Sequence, residues 1–192
     1  MSQTYPNNEI PARLSHAGIV VHSIKPMAPA ACEKACRLFQ EAGVKVTVLE
    51  TRHRSGEREV DEARRAVYAQ CDALVVLGGD GTILGVARET AGMGKPILGI
   101  NLGYFGFLAE CTVDEMEEAI HCLIAGNYRI VNRYMVNARV VSENGGEVFK
   151  HVALNEALIS RAVPGRLLKL TLAWGSNPVL TYRAYGLIVA PP

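Results

Sequence analysis

The sequence predicts an α/β amino-terminal domain, a parallel sheet with flanking helices, over residues 1–126, and an incomplete all-β domain over residues 127–192. In the first domain, short apolar runs alternate with segments of helical periodicity, which is typical of a parallel sheet covered by helices. After about residue 127 the helical segments stop, and short alternating runs separated by turn residues indicate antiparallel strands. Since the chain stops directly after an apolar strand, we expect the β domain to be cut short.

The first three elements follow from apolar periodicity. The run AGIVVHS, residues 17–23, predicts a buried strand, and VKVTVLE, residues 44–50, alternates as a second strand. Between them APAACEKACRLFQEAG has helical spacing and ends at Gly43. The predicted apolar side of this helix consists of Ala31, Ala35, Leu38 and Phe39. The charged stretch TRHRSGEREVDEARR is interpreted as a solvated loop leading into a helix.

The rest of the α/β domain repeats the alternation. CDALVVLG predicts a third strand, TILGVARETAG a helix that starts near Thr82, and KPILGIN a fourth strand. VDEMEEAIHCLIAGN, residues 113–127, predicts the last helix, with acids in its first turn where the helix dipole favours them. Its expected apolar stripe consists of Met116, Ile120, Leu123 and Ile124.

The β domain is predicted from a series of short segments. In order they are YRIVNRYMVNARVV, the turn SENGG, EVFKHVALNEALISRA, LLKLTLAW, GSNPVLTYRA and YGLIVA. Each combines alternating apolar residues with flanking turn residues, as antiparallel strands do.

Composition excludes several function classes. The 192 residues include 20 basic and 19 acidic side chains, with a net charge of +1, which gives no reason to expect a nucleic acid or membrane partner. No apolar run approaches the roughly 18 residues of a membrane span, and we expect a cytoplasmic protein. The five cysteines contain no CxxC pair, so no metal site is predicted.

The stretch LVVLGGDGTILGVARET, residues 74–90, carries the clearest functional signal. Its glycines follow an apolar strand and precede a helix, which is where open α/β sheets bind ligands and where backbone N–H groups hold phosphate. It is neither a Walker loop nor a GxGxxG fingerprint. Gly-Asp-Gly is also an ordinary turn sequence, and that alternative stays open on these residues alone.

An acid among these glycines needs its own explanation. Asp80 would repel a phosphate in direct contact, so it should either accept a proton from an attacking hydroxyl or hold a Mg²⁺ that neutralises phosphate. Either role predicts a phosphoryl-transfer site.

Three motifs in order make the chain resemble the NAD kinase family. They are LVVLGGDGTIL, GINLGYFGFLAE and ALNEALISR. GGDGT alone is shared with diacylglycerol kinases and 6-phosphofructokinases, and the other two motifs make the resemblance specific. It implies transfer of the γ-phosphate of ATP, or of polyphosphate, to the 2′-hydroxyl of the adenosine ribose of NAD, giving NADP, with Mg²⁺ or another divalent cation.

The resemblance also implies roles for individual residues. Asp80 is the expected catalytic base, with Gly81 beside it at the NAD. The other expected NAD-binding residues are Phe107, near the adenine, Asn155, Glu156, Arg166, Arg183 and Tyr185. Family members are expected to be homodimers or homotetramers. Without the resemblance, Asn155 and Glu156 could equally be an ordinary pair at a strand edge. Arg166 and Arg183 could equally be ordinary surface residues.

Two departures from the family pattern leave alternatives open. Tyr185, in Ala-Tyr-Gly, stands where the family has an acid that contacts NAD, and a tyrosine does not supply a charged acceptor at neutral pH. The family's Thr-Gly-Ser-Thr-Ala-Tyr segment does not follow. The alternatives are therefore a non-catalytic truncated nucleotide-binding fragment, or a lipid or sugar kinase of the same superfamily.

Overall fold

The structure, a computed structural model, describes residues 13–51, 62–103, 106–162 and 165–192. The chain divides into two compact units, the first ending at Asn132 and the second spanning Arg133–Pro192. The glycine loop belongs to the first unit. Part of the predicted charged loop, residues 52–61, lies outside the described residues.

A five-stranded parallel sheet forms the centre of the first unit. Its strands are β1 (His16–His22), β2 (Lys45–Thr51), β3 (Ala73–Gly78), β4 (Ile97–Asn101) and β5 (Cys111–Thr112). Their order across the sheet is β2-β1-β3-β4-β5, and all pairs are parallel. The four predicted strands and their parallel arrangement are confirmed. The sequence analysis missed β5 because two residues are too few to show a period.

Three helices connect consecutive strands, and a fourth follows β5. They are α1 (Ala28–Glu41), α2 (Glu62–Gln70), α3 (Asp80–Glu89) and α4 (Met116–Ala125). The predicted apolar side of α1 is buried, as are three of the four stripe residues of α4; Ile124 is half-buried. The predicted start of α3 near Thr82 was wrong by two residues, because the helix begins at Asp80 itself. In the described ranges, no helix combines the length and apolar character needed to cross a membrane.

Helices cover both faces of the sheet. Side chains alternate along the central strands, so that Val75 and Leu77 of β3 pack with α1 and α4, whereas Leu74 and Val76 pack on the opposite face with α2 and α3. All four of these side chains are fully buried. Burial on both faces explains why β3 has an uninterrupted apolar sequence.

The second unit consists of three antiparallel two-stranded ribbons. They pair β6 (Val136–Val141) with β7 (Glu147–Ala153), β8 (Ala157–Ser160) with β11 (Gly186–Val189), and β9 (Leu168–Trp174) with β10 (Asn177–Ala184). The predicted antiparallel class is thereby confirmed. In the predicted SENGG turn, the Ser142 N–H donates to the Gly146 carbonyl over 2.8 Å. No described residue of this unit is fully buried.

Candidate active site

The turn from β3 into α3 positions Asp80. Gly79, with extended backbone, precedes the helix, and its carbonyl accepts hydrogen bonds from the N–H groups of Thr82 (2.9 Å) and Ile83 (3.1 Å). Asp80 is therefore the first helical residue and is only partly exposed. The helix dipole stabilises a negative charge in this first turn, so the acid among the glycines is electrostatically favoured there.

The segment after β4 holds the Asp80 carboxylate from the other side. The Phe107 N–H donates to Asp80 Oδ2 over 2.8 Å, and the Leu108 N–H donates to Oδ1 over 3.2 Å. A methyl group on Gly106 would overlap both carboxylate oxygens, so only glycine allows this approach. Both oxygens are thus fixed by main-chain donors, which leaves their remaining lone pairs for a proton or a cation.

A buried asparagine, which the sequence analysis missed, shapes the same segment. Asn101, at the end of β4, is 3% exposed, and its Oδ1 accepts a hydrogen bond from the Gly103 N–H over 3.0 Å. The Leu102 N–H donates to the Gly78 carbonyl over 2.8 Å, which ties the ends of β3 and β4 together. The available signal was a polar residue ending the apolar run ILGIN, because carboxyl ends of parallel strands face the ligand edge.

A lysine that no sequence pattern indicates also lies at this edge. Lys25 lies after β1, and its side chain reaches two glycines, Gly79 after β3 and Gly103 after β4. A Cβ added at Gly103 would lie 2.9 Å from the Lys25 Nζ, and one added at Gly79 would lie 3.9 Å from it. A single lysine after a strand has no pattern that separates it from a surface lysine. The ends of β1, β3 and β4 therefore meet around Lys25.

Gly81 and Phe107 lie beside Asp80 but make few contacts of their own. A Cβ at Gly81 would meet nothing within 4 Å, so open space faces this residue. The Phe107 side chain is 99% exposed, although its N–H holds Asp80. The structure thus brings Asp80, Gly81 and Phe107 together in one unit, and the two latter residues present accessible surface next to the carboxylate.

In the second unit, the predicted NAD-binding residues are exposed. Asn155 and Glu156 are adjacent in the connection from β7 to β8, and neither side chain bonds to another residue of the described ranges. Arg166 is exposed shortly before β9. Arg183, in β10, lies directly opposite Lys169 of β9. Like charges at opposed positions repel, so this face of the ribbon favours an anion that screens them.

Tyr185, the departure from the family pattern, pairs with an arginine. Its side chain is 64% exposed, and the Arg161 guanidinium lies 4.6 Å from the ring centroid, within the range of a cation–π contact. The Arg161 N–H also donates to the Tyr185 carbonyl over 3.4 Å. An aromatic ring at this position therefore holds a cation locally, in place of the negative charge that an acid would bring.

Two cysteines of the first unit, Cys32 and Cys111, pack in or against its core. Burial, with a smaller effect of neighbouring Cys36, raises the pKa of Cys32 to about 11, and burial raises the pKa of Cys111 to about 11. Thiols with these pKa values stay protonated at neutral pH, whereas metal ligands and nucleophiles need thiolate. Across the described ranges, no group of three His, Cys, Asp or Glu residues is placed to hold a metal ion.

A family comparison agrees with the glycine-loop geometry. The family model described as "ATP-NAD kinase N-terminal domain" matches residues 17–128, which is more than half of the chain. The chain belongs to the NAD kinase family. The match runs from the second residue of β1 past the end of α4, and so includes nearly the whole sheet and the turn into α3 that positions Asp80.

Curated relatives support the assignment over a larger part of the chain. A NAD kinase of Heliobacterium modesticaldum is 35% identical over 175 residues, covering 91% of this chain and 62% of the relative. NAD kinase 2 of Streptomyces coelicolor is 35% identical over 179 residues, covering 91% and 59%. A NAD kinase of Desulforamulus reducens is 42% identical over 129 residues, covering 67% and 44%. The chain thus spans about half of the length of the relatives it matches.

A solved structure shows the same fold. The crystal structure of yeast NADH kinase complexed with NADH superposes with a TM-score of 0.72 at 22% sequence identity, covering 94% of this chain and 55% of that chain. Because the identity is low, this likeness concerns the fold alone. It includes both the parallel sheet and the antiparallel ribbons.

Proposed function

We propose that this chain carries the catalytic loop of an NAD kinase, which transfers the γ-phosphate of ATP to the 2′-hydroxyl of the adenosine ribose of NAD and forms NADP. The observation that carries the proposal is the Asp80 carboxylate, fixed at the start of α3 by the N–H groups of Phe107 and Leu108. A carboxylate held in one orientation suits general-base catalysis, because proton transfer requires hydrogen-bond geometry.

The proposed reaction assigns one step to Asp80. Its carboxylate accepts the proton of the 2′-hydroxyl while the hydroxyl oxygen forms a bond to the γ-phosphorus. The bond between that phosphorus and the β,γ-bridging oxygen breaks, and ADP leaves with the electron pair. Phosphoryl transfer needs little covalent chemistry from the protein, so positioning of the hydroxyl and of the phosphate contributes most of the rate.

A divalent cation, Mg²⁺ in the first instance, fits this site as a companion of ATP. Magnesium keeps several waters and binds through one or two carboxylates together with substrate phosphates. Within the described residues, the glycine loop provides a single carboxylate, that of Asp80, and no cluster of three ligands. This arrangement suits a Mg²⁺ ion that is bound mainly by water and substrate phosphates. When bound, the cation would neutralise charge on the phosphates.

The second unit is proposed to bind NAD. Asn155 and Glu156 offer exposed amide and carboxylate groups that suit ribose hydroxyls or base nitrogens. The cationic pair Arg183 and Lys169, with Arg166, suits the NAD diphosphate, because guanidinium binds such groups with two parallel hydrogen bonds. Phe107, with its exposed ring, is proposed to pack against the adenine. Tyr185 would then contact NAD through its ring.

The test is NADP formation from NAD, ATP and Mg²⁺ by the purified chain, beside Asp80→Asn and the control Asp114→Asn. Asp114 is an exposed acid shortly before α4 and distant in sequence from the loop. We expect NADP from the wild type and the control, and a loss of about 10²–10⁴-fold for Asp80→Asn with an unchanged circular dichroism spectrum. Absence of NADP from a folded wild type would contradict the proposal for this chain.

The same assay separates the alternatives. Diacylglycerol and fructose 6-phosphate replace NAD as acceptors in parallel reactions, and phosphate transfer to either one in preference to NAD would favour a lipid or sugar kinase. Tight nucleotide binding without transfer to any acceptor would favour a non-catalytic fragment. Inorganic polyphosphate in place of ATP tests the donor.

Location and assembly complete the proposal. The net charge of +1 and the described helices fit a cytoplasmic enzyme that binds neither nucleic acid nor membrane. We also propose a homodimer or homotetramer, which light scattering of the purified protein would test against a monomer.

A further inference from the structure

We propose that Lys25 binds the phosphate chain of the phosphoryl donor. The inference rests on the proposed function above, which makes the glycine loop a phosphoryl-transfer site. It begins from the position of the lysine in the sheet. Lys25 is the third residue after β1, so it lies at the carboxyl edge of the sheet, where β3 and β4 also end.

The lysine backbone is fixed in a turn. The Lys25 N–H donates to the His22 carbonyl over 3.1 Å, and the Lys25 carbonyl accepts from the Ala28 N–H over 3.0 Å, at the start of α1. Pro26, next in the chain, restricts the backbone further. The base of the side chain is therefore anchored between β1 and α1, which limits the directions that the ammonium can take.

The ammonium lies against main chain without side-chain bulk. Its Nζ is close to two glycines, Gly79 and Gly103. A Cβ built at Gly103 would lie 2.9 Å from Nζ, and one built at Gly79 would lie 3.9 Å from it. The residue is half-buried. Because both of these neighbours are glycines, neither brings a side chain into the space around Nζ.

Lys25 forms no ion pair with another residue of the described ranges. None of the ion pairs found there includes it; they join Lys34 with Glu117, Arg64 with Glu89, Arg65 with Glu62, and Arg139 with Glu147. A half-buried ammonium without a carboxylate partner has lost part of its hydration and gains most from an incoming anion. A positive charge that is available to an anion thus lies beside Gly79, the residue before Asp80.

The donor phosphates are the anion that fits best. Lysine is a compact point charge that binds phosphate well, and positive groups on the transferred phosphate stabilise the charge in phosphoryl transfer. The NAD diphosphate has other proposed partners in the second unit, Arg166 and Arg183. Lys25 therefore provides cationic binding for the triphosphate on the α/β unit, where Asp80 supplies the base.

The test compares Lys25→Gln and Lys25→Arg with the control Lys45→Gln. Lys45 is an exposed lysine at the first residue of β2, at the amino edge of the same sheet, so its loss removes an equal charge from the other edge. Titration calorimetry with inorganic triphosphate measures binding in the absence of turnover. Steady-state kinetics measure the KM for ATP and the KM for NAD.

For Lys25→Gln we expect about tenfold weaker triphosphate binding and about a tenfold higher KM for ATP, because a charged hydrogen bond to phosphate is lost. The KM for NAD stays unchanged, Lys25→Arg retains most of the affinity, and Lys45→Gln matches the wild type. Gly103→Ala, which keeps the charge but crowds Nζ, should weaken triphosphate binding in the same direction by a smaller factor.

The inference would be overturned by equal triphosphate binding by Lys25→Gln and wild type, or by a loss that falls on NAD rather than on ATP. A wild type that binds no triphosphate at millimolar concentration would overturn it as well. If the wild type binds triphosphate through Lys25 but forms no NADP, the proposed function fails while the lysine assignment stands.

Discussion

The two units differ in how they hold the residues assigned to the reaction. In the first unit, the Asp80 carboxylate accepts two main-chain hydrogen bonds, and its loop is tied to the sheet through Leu102 and Asn101. In the second unit, the side chains proposed to bind NAD are exposed: Asn155, Glu156, Arg166 and Arg183. The Asp80 carboxylate is thus held in place before any ligand binds, whereas the side chains of Asn155 and Glu156 make no hydrogen bond within the described ranges.

Burial explains this contrast. Every fully buried residue of the described ranges lies between Leu14 and Leu123, in the first unit. Two-stranded ribbons such as those of the second unit are marginal in water without a packed face. A dense core restricts the loops attached to it, because packed side chains have few alternative positions. The core of the first unit therefore restricts the loop that carries Asp80.

Among variants that keep Asp80, the largest expected effect on turnover comes from disturbing the Asp80 clamp, the two hydrogen bonds that the Phe107 and Leu108 N–H groups donate to its carboxylate. Gly106→Ala places a methyl group in the volume of the carboxylate oxygens and forces the side chain away from its donors. Because misplacing a reacting group by about 1 Å costs on the order of 10²-fold, we expect NADP formation to fall by about that factor. An unfolding midpoint close to that of the wild type would show that the loss is local. Wild-type turnover in Gly106→Ala would contradict the claim that these hydrogen bonds position Asp80 for the reaction.

The next effect tests the difference in burial with the same substitution in each unit. Ile100 of β4 is fully buried, whereas Ile188 of β11 is 64% exposed. We expect Ile100→Ala to lower the free energy of unfolding by about 2–5 kcal/mol through lost apolar burial and a cavity. Ile188→Ala should change it by about 0.5 kcal/mol or less. Urea denaturation measures both, and equal losses would refute the contrast.

A smaller effect concerns the acid that fastens β1. Asp72 Oδ2 accepts hydrogen bonds from the Ser15 N–H (2.8 Å), the Ser15 hydroxyl (2.7 Å) and the His16 N–H (2.9 Å). Burial raises the pKa of this carboxyl, but the hydrogen bonds from Ser15 and His16 outweigh burial, and its pKa is lowered. Since hydrogen bonds to a charged group each contribute about 1.5–3 kcal/mol, Asp72→Asn should cost about 2 kcal/mol at neutral pH.

The pH dependence of that difference has a definite sign. A folded-state pKa below the ordinary value of about 3.9 means that the stabilisation is complete above that pH and is lost as pH falls through the lowered pKa. The gap in unfolding free energy between wild type and Asp72→Asn should therefore shrink below about pH 4. Urea titrations from pH 7 to pH 3 measure the gap, and a constant difference would contradict the assigned role.

The smallest expected effect is in the second unit. Asn155→Ala should raise the KM for NAD about tenfold, or about 1.4 kcal/mol, and leave the KM for ATP and the stability unchanged. Asn137→Ala, at an exposed position of β6, is the matched control. If the two variants have the same KM for NAD, Asn155 has no part in the NAD site.

Much of the first unit was predictable because its buried strands and amphipathic helices have clear periods. The GGDGT motif located Asp80 from glycines between a strand and a helix. The clamp was not predictable, because its donors are the main-chain N–H groups of Phe107 and Leu108, 27 and 28 residues further along the chain. Every residue except proline has a main-chain N–H group, so residue type does not indicate which of them donates to a side chain. The position of Lys25 was not predictable either, because a single lysine forms no pattern.

The second unit was predicted as antiparallel strands from turn residues and alternation, whereas pairing was not predicted. The β8 strand pairs with β11 instead of with a neighbour in sequence, and β9 pairs with β10 across a short turn. Strands of four to eight residues give no sequence signal that separates these partners. The approach of Arg161 to Tyr185 follows from the β8–β11 pairing and could not be foreseen.

Amide hydrogen exchange of Phe107 and Leu108 tests the preorganisation of Asp80 most directly. In the wild type without ligands, both amides donate to the carboxylate, so we expect them to exchange at least about tenfold more slowly than the same amides in Asp80→Ala, where no acceptor remains. The Val76 amide, in the buried centre of β3, should be equally protected in both proteins. Equal exchange of Phe107 and Leu108 in the two proteins would show that the loop does not hold the base before substrates bind.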